Sequence, residues 1–418
     1  MLPRALTRVV RIPSVWRQIV HNHQVHCGRT AALRGRSSCS IVNFSTAKYK
    51  INLCGHRSRY QSDTNSRLGL LLGGFLGLFG FHDEKDEEGK VPQSVKRELL
   101  KAQKAHSNGD YSTADQCYHS ALHLLSSTEH AQNQTYLEAK AVTMDKLANL
   151  YLEQKKYRQA EATFKETLRL IVTATGSENG TDEQEAMIEI SLKLSKIYAN
   201  QTRYKEADIG FQWCVESAKK CLDENRTKDH LALLGICYES QGKYLMMIGK
   251  SQDSLLAYGE AKKIAAELFK KNSLQYATLL TDEAAAFLSL GQPAQAEQLL
   301  QESLHIMETL SGSQAAQNMA VTSYNLAMVL AMKDTTDPKT EIYLRKSISL
   351  LEALKDEAML EDLELYYYTL GTVLISQGRV EEARRALKKA KVIASKTGNS
   401  VLLEHILQAI NSQTQNCQ

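Results

Sequence analysis

Gln154–Ala160 reads QKKYRQA, and the same pattern returns 47 residues later as QTRYKEA in Gln201–Ala207. Each copy has a short polar turn, a tyrosine, two polar residues and an alanine. A small side chain at that position allows the helix that it opens to pack closely against the helix before the turn. The stretch therefore predicts a unit of two helices, A and B, joined by a tight turn.

The unit recurs seven times between Val95 and Lys396, and its helix B anchor returns every 42–47 residues. A second small residue lies in helix A, 12 residues before each anchor, or 13 in the sixth copy, which is weaker and carries an insertion. The small residues of helix A are Ala102, Ala148, Ser195, Gly242, Ala284, Ala327 and Gly371. The anchors of helix B are Ala114, Ala160, Ala207, Ser254, Ala296, Thr340 and Ala383.

Repeats of this length predict an all-α fold, because one hairpin hides its apolar face only by stacking on its neighbours. We expect a right-handed superhelical array of hairpins, an α-solenoid, over residues 93–398. Tyr151, Tyr198 and Phe287 follow the small residue of helix A by three positions and are expected to fill the space between repeats. Residues 399–418 are predicted to form a capping helix, Val401–Ile410, and a polar, frayed tail.

The N-terminal segment has a different composition. Residues 1–60 contain nine arginines and no Asp or Glu, and Arg4, Arg8 and Arg11 follow helical spacing. An Arg- and Ser-rich amphipathic segment without acidic residues is typical of a mitochondrial transit peptide, although a basic tail that binds anionic surfaces is an alternative. We expect this segment to be disordered, with residues 61–67 as a short basic linker.

Residues 68–81 read LGLLLGGFLGLFGF, between Arg67 and the acidic linker of residues 82–92. A helix of 14 residues rises about 21 Å, less than the ~30 Å hydrocarbon core. The segment is therefore either a short inner-membrane anchor or a sorting signal, with the body more favourably placed in the intermembrane space. Gly69, Gly73 and Gly77 form a small-residue stripe that could pack against a partner's transmembrane helix.

Charge and motifs exclude several function classes. After Arg67 the chain has 39 basic and 46 acidic residues, which disfavours nucleic-acid binding. No nucleotide-binding, serine-hydrolase or zinc-protease motif is present. His119 and His123 have metal-like spacing near Cys117, but the core positions of that helix belong to Tyr118 and Ala121, so both histidines should face outward. We expect no cofactor, no metal, no small-molecule substrate and no enzymatic activity.

The spacing of small residues and tyrosines resembles the tetratricopeptide repeat (TPR) family, with the longer helices of the kinesin-light-chain type. That resemblance implies a concave, peptide-binding groove lined by the fifth and ninth positions of helix A. The positions so assigned are Asp145, Asn149, Lys196, Glu239, Lys243, Thr281, Asn325 and Tyr368. Asn149 and Lys196 could belong to a carboxylate clamp of the chaperone-binding type, but Asp145 lies one turn away and would repel a carboxylate.

Glu185–Ala207, EAMIEISLKLSKIYANQTRYKEA, and Leu233–Met246, LLGICYESQGKYLM, resemble the tetratricopeptide repeat protein 19 family of mitochondrial inner-membrane proteins. The resemblance implies association with respiratory complex III and support for clearing N-terminal fragments of its Rieske iron–sulfur protein. It carries over no site residue. The alternatives are a general TPR adaptor or co-chaperone with a mitochondrial or cytosolic partner, and a peptidase subunit.

Overall fold

A computed structural model of the protein describes residues 91–127, 133–175, 181–334 and 336–415. Within these ranges the chain forms fifteen α-helices, one short 3-10 helix and no strand. The predicted transit peptide and basic linker, the apolar segment with Gly69, Gly73 and Gly77, and nearly all of the acidic linker lie outside the described residues. The all-α fold class is confirmed.

The helices follow one another in A and B order. Helices A are α1 (Gln93–Ser107), α3 (Gln134–Glu153), α5 (Thr181–Asn200), α7 (Lys228–Met247), α9 (Leu274–Ser289), α11 (Ser313–Lys333) and α13 (Leu360–Ser376). Helices B are α2 (Tyr111–Ser126), α4 (Tyr157–Thr175), α6 (Tyr204–Glu224), α8 (Ser251–Phe269), α10 (Pro293–Glu308), α12 (Pro338–Leu354) and α14 (Val380–Thr397). The 3-10 helix Glu357–Met359 precedes α13, and α15 (Ser400–Gln415) follows α14.

The chain divides into two compact units at Thr202 and Arg203. Among the described residues, the first unit contains α1–α5 and the second contains α6–α15. Helix pairs α1/α2 and α3/α4 pack as hairpins in the first unit. Pairs α7/α8, α9/α10, α11/α12 and α13/α14 do so in the second, with α15 packed on α14. The predicted capping segment Val401–Ile410 lies within α15, which continues to Gln415.

A left-handed residue ends helix A in six of the seven repeats. It lies five residues before the anchor and is glycine at Gly109, Gly249, Gly291 and Gly378. The backbone N–H of the next residue then donates to a carbonyl five residues earlier, as from Gln292 to Phe287 at 2.9 Å. This is the Schellman arrangement, which satisfies the last carbonyl groups of a helix and turns the chain. Lys155 and Thr202 adopt the same conformation without being glycine.

The small residues of helix A make room for a large residue of helix B. A Cβ added at Gly242 would lie 2.6 Å from a ring carbon of Tyr258, four residues after the anchor Ser254. One added at Gly371 would lie 2.7 Å from Leu387, four residues after Ala383. The residues at this position in the seven repeats are Tyr118, Phe164, Phe211, Tyr258, Leu300, Leu344 and Leu387, all buried. The small residue of helix A thus leaves a space that one large side chain of helix B fills.

The predicted ring residues lie where neighbouring repeats meet. Tyr151 and Tyr198 are buried. Phe287 packs against a cluster that combines Leu300 of its own repeat with Leu326 and Val329 of the next. The core is thus continuous from repeat to repeat within a unit, which agrees with the stacking expected of a solenoid. The opposite, polar side of helix A is left for the groove residues.

Candidate ligand-binding face on the inner helices

In the first unit, the groove residues Asp145 and Asn149 lie one turn apart on α3. The side-chain N–H of Asn149 donates to Asp145 Oδ2 at 2.8 Å. Lys193 on α5 donates from Nζ to Asp145 Oδ1, also at 2.8 Å. Asp145 is only 3% exposed, so its carboxylate joins two successive helices A and does not lie open to a ligand. The repulsion of an incoming carboxylate that the sequence suggested is offset by the Lys193 ammonium.

Sequence reasoning missed Lys193, although a signal for it exists. Lys193 lies 48 residues after Asp145, which is one repeat, and carries the opposite charge. Its ammonium also lies 5.4 Å from the centre of the Phe164 ring, so a cation–π contact adds to the ion pair. A search for opposite charges one repeat apart on helix A would have found this pair.

Glu189, one turn before Lys193 on α5, was also missed. The residue is 2% exposed, and its Oε2 has no hydrogen-bond partner among the described residues. Burial raises the pKa of the Glu189 carboxyl to about 8, against the opposing effect of Lys193. Lys196 lies one turn further along α5 and is half-buried. The inner helices of the first unit therefore contain the buried Asp145–Lys193 ion pair and, beside it, the unpaired Oε2 of Glu189.

In the second unit, Glu239 and Lys243 of α7 form an ion pair one turn apart. Lys243 Nζ also lies 3.4 Å from Oδ2 of Asp282 on α9, the next helix A. Asp282 is 6% exposed, and burial raises the pKa of its carboxyl to about 6, while Lys243 acts in the opposite direction. The structure thus brings two predicted groove residues together with Asp282, which the sequence had not singled out.

The remaining groove positions differ in access. Thr281 is buried, and its hydroxyl lies 3.0 Å from that of Ser303 and 2.9 Å from that of Thr322. It links three helices and is not open to a ligand. Asn325 and Tyr368 are half-buried, and burial raises the pKa of the Tyr368 phenol. Lys196 and Asn149 are half-buried as well.

Tyrosines cross between the last two repeats beside these positions. Tyr324 of α11 and Tyr366 of α13 stack with ring centroids 4.1 Å apart. The hydroxyl groups of Tyr324 and Thr369 lie 3.1 Å apart, so the polar tip of the ring is satisfied inside the core. The stacked rings and the paired hydroxyl groups pack α11 against α13 next to Asn325 and Tyr368.

The weaker candidates hold structural contacts. His119 is exposed, and its Nε2 lies 3.1 Å from the Tyr151 hydroxyl. His123 faces solvent as predicted. In the charged last repeat, Arg379 contacts Glu341 at 2.5 Å and Glu382 at 2.6 Å, so these charges join α12 to α14 on the outer side. Cys214, Cys221 and Cys237 are buried thiols, as expected of small apolar residues.

Residues 141–179, which span most of α3 and all of α4, match a family model described as tetratricopeptide repeat. This part of the chain is similar to the tetratricopeptide repeat family. The apo form of RapI, a solved structure, aligns with a TM-score of 0.50 at 12% identity, covering 72% of this chain and 99% of that one. At 12% identity the similarity to RapI is a similarity of fold only. It agrees with an array of helical repeats.

Curated relatives of this TPR protein include two proteins named for the same family. The chain is 26% identical over 238 residues to tetratricopeptide repeat protein 19 homolog, mitochondrial, of Drosophila melanogaster, covering 56% of this chain and 61% of that protein. It is 26% identical over 294 residues to tetratricopeptide repeat protein 19, mitochondrial, of Homo sapiens, covering 67% and 72%. The resemblance inferred from the sequence is confirmed, and the comparisons support a mitochondrial TPR protein.

None of the helices in the described residues has the length and apolar character needed to cross a bilayer. The segment proposed as an anchor, residues 68–81, was outside that search because it lies outside those residues.

Proposed function

We propose that this TPR protein is a non-enzymatic scaffold of the mitochondrial inner membrane. It associates with respiratory complex III and helps to clear N-terminal fragments of the Rieske iron–sulfur protein. The relation to the tetratricopeptide repeat protein 19 family carries the proposal. Helices A carry half-buried polar side chains, Lys196 in the first unit and Asn325 and Tyr368 in the second, and we propose that each unit uses them to contact a bound segment.

The proposed position in the membrane follows from charge. A basic segment precedes residues 68–81 and an acidic one follows them. Because positive flanks are retained on the side from which a segment inserts, the repeat body is placed in the intermembrane space. The glycine stripe of Gly69, Gly73 and Gly77 is then available to a transmembrane helix of complex III.

A native gel of digitonin-solubilised mitochondria tests the association. The gel is probed for this protein and for a core subunit of complex III, and we expect both to migrate together. Replacing residues 68–81 by a different apolar anchor separates two sources of contact. Comigration that survives the exchange assigns binding to the repeats, whereas loss assigns it to the glycine stripe.

A groove variant tests the second half of the proposal. We expect Lys196→Ala in the first unit and Asn325→Ala in the second, each made alone, to increase the Rieske N-terminal fragments that copurify with complex III. The controls, Lys263→Ala and Gln301→Ala, each remove a lysine or an amide side chain at an exposed position of a helix B and should leave fragment levels unchanged. A protein that never migrates with complex III would favour the alternative, an adaptor or co-chaperone for another partner.

A further inference from the structure

The last helix B, α14, differs in charge from the rest of the repeat body. The helix has two acidic residues in its first turn, Glu381 and Glu382. After them, residues 383–403 contain six Lys or Arg and no Asp or Glu. The chain after Arg67 as a whole has 46 acidic residues against 39 basic ones. The last repeat is therefore a basic element in a mildly acidic body.

Two of these six cations have structural contacts. Arg384 lies 3.3 Å from a carboxylate oxygen of Glu381. Lys389 donates to the Tyr367 hydroxyl group at 2.8 Å, and its ammonium lies 4.8 Å from the centre of that ring. The other four are at least one-third exposed and have no hydrogen-bond or ion-pair partner among the described residues: Arg385, Lys388, Lys391 and Lys396. The basic face of α14 consists of these four residues and Val392.

The stability of α14 itself does not account for this face. A cation in the last turn interacts favourably with the helix dipole, which explains Lys396. Lys388, however, has Arg384 four positions before it and Lys391 three positions after it. Like charges at these spacings destabilise a helix. An anionic surface outside the protein would offset that repulsion.

An aliphatic side chain lies in the middle of the basic face. Val392 is 58% exposed, and its neighbours at helical spacing include Lys388, Lys389 and Lys396. Val401, in the first turn of α15, is 66% exposed and follows α14 after a connection of two residues. Lysines beside exposed apolar side chains are typical of protein surfaces that lie in the headgroup region of a bilayer.

We propose that the basic face of α14 docks the last repeat on an anionic lipid bilayer. The four unpaired cations contact lipid phosphate groups, and Val392 lies at the level of the headgroups. Each such cation near an anionic bilayer strengthens binding by about fivefold. Because the body as a whole is mildly acidic, the same bilayer does not attract its other surfaces, so the contact also orients the repeats. This lipid contact does not depend on complex III as a partner.

An acidic protein segment is the alternative occupant, but the composition of the face favours the bilayer. Three of the four unpaired cations are lysines, whose ammonium group is a point charge on a flexible stem. Such groups adapt to a continuous layer of phosphates, whereas arginine makes the bidentate contacts that select individual carboxylates. The bilayer interface also accommodates the exposed Val392 without a matching residue on a partner.

Quenching by labelled lipids tests the docking on the full chain. Val392 is replaced by an environment-sensitive fluorescent amino acid, and the vesicles contain brominated phosphatidylcholine with either no anionic lipid or about one-third phosphatidylglycerol. The fluorophore reports on its own position, so membrane binding through residues 1–81 does not produce the signal. We expect at least about twofold quenching in the anionic vesicles, none in the neutral ones, and loss of the quenching in about 0.5 M salt.

Leu256 of α8 provides the control position. Its side chain is 69% exposed, but its neighbours at helical spacing include the acidic residues Asp253 and Glu260. The same fluorescent amino acid at position 256 should not be quenched in either kind of vesicle. Equal quenching at positions 256 and 392 would reveal adsorption without a preferred face and would refute the docking.

Charge variants assign the contact to the basic face. Replacement of its four cations by glutamine should abolish the quenching at position 392. The matched control removes four exposed cations elsewhere in the second unit and should retain the quenching: Lys205→Gln, Lys228→Gln, Lys250→Gln and Lys271→Gln. Equal melting temperatures of the two variants show that the fold is retained. Quenching that survives the loss of the basic face would overturn the proposal.

The remaining outcomes are separable from one another. A fluorophore at position 392 that responds to polyglutamate and not to anionic vesicles would assign the face to an acidic protein segment and refute the bilayer contact. Quenching in a protein that never migrates with complex III would retain the bilayer contact and refute the proposed partner. Comigration with complex III without quenching would refute the bilayer contact and leave the proposed function standing.

Discussion

The glycines and left-handed residues show how single positions set the geometry of a hairpin. Gly242 is a glycine because the Tyr258 ring occupies the space of its Cβ, whereas Gly291 is a glycine because its φ is +73°. The two have different physical reasons and should respond to different substitutions. The presence of glycine in the sequence does not by itself show which of the two reasons applies.

Gly242→Ala should destabilise the protein. The added methyl group would lie 2.6 Å from the Tyr258 ring, and overpacking of this kind costs about 1–3 kcal/mol. Gly259→Ala is the control, because that helical glycine has no atom within 4 Å of an added Cβ. It should stabilise the protein by roughly 0.5–1 kcal/mol through helix propensity. Urea denaturation measures both, and equal effects would contradict the packing argument.

Lys155→Gly should stabilise the protein by roughly 0.5–1 kcal/mol. The native φ of Lys155 is +58°, which costs a residue with a side chain about 1–2 kcal/mol, and the entropy of glycine offsets only part of that gain. The reverse change, Gly291→Ala, meets no nearby atom and should destabilise by a similar amount. A melting temperature that moves in the same direction for both variants would refute the backbone explanation.

At the scale of elements, the inner helices are connected by charges as well as by apolar contacts. Asp145 and Lys193 join α3 to α5, and Lys243 joins Asp282 on α9 to Glu239 on α7. The Asp145–Lys193 and Lys243–Asp282 pairs each span about one repeat along the chain, so each links a helix A to the next helix A. Such pairs pay a desolvation cost, and their removal is asymmetric: losing one partner is worse than losing both.

Lys193→Met should destabilise the protein by about 3–5 kcal/mol, because Asp145 would remain buried without its counter-charge. The double variant Asp145→Leu with Lys193→Met should recover most of that loss. Urea unfolding of the wild-type protein, the two single variants and the double variant measures the coupling. Losses that simply add would show that the two side chains act independently.

Asp282 gives the second unit a distinctive pH dependence. The folded state raises the pKa of this carboxyl from 3.8 to about 6, so the folded protein holds a proton that the unfolded chain has lost. Its contribution is fully present below about pH 4 and is lost as the pH rises through about 6. Asp282→Asn should therefore gain stability relative to the wild-type protein between these values. A difference that stays constant from about pH 4 to 7 would contradict the raised pKa.

At the scale of the whole molecule, each repeat contacts mainly its neighbours, so a destabilising substitution should affect only the nearby repeats. A repeat array is stabilised by each repeat and by its interfaces with adjacent repeats. The cap α15 buries Ile406 completely in a cluster that contains Leu370 and Leu387, so the last repeat depends on it. The first unit contains none of the residues of that cluster.

Ile406→Ala should cost about 2–5 kcal/mol of local stability. Hydrogen exchange should accelerate in α13, α14 and α15, while protection in α1–α5 should remain at the wild-type level. Leu407→Ala, at a neighbouring exposed position, should change stability by less than about 0.5 kcal/mol. Accelerated exchange throughout the chain would mean that the array unfolds as one cooperative unit.

Much of the fold could be predicted because small residues at a fixed period have one physical use. The anchors from Ala114 to Ala383 are all buried. The candidate site was less predictable. Position along helix A identified Asp145 and Thr281 as groove residues, but both are buried, because a position on a helix face does not reveal what the next helix places against it.

The sequence by itself determined the all-α class and the positions of the turns that end helices A, since these depend on local spacing and on side-chain size within one repeat. Only the tertiary structure decided which polar side chains remain accessible. Lys193 reaches Asp145 across 48 residues, and Glu189 is left with an unpaired oxygen. Pairing and burial are properties of several helices together, so no single segment of the sequence contains them.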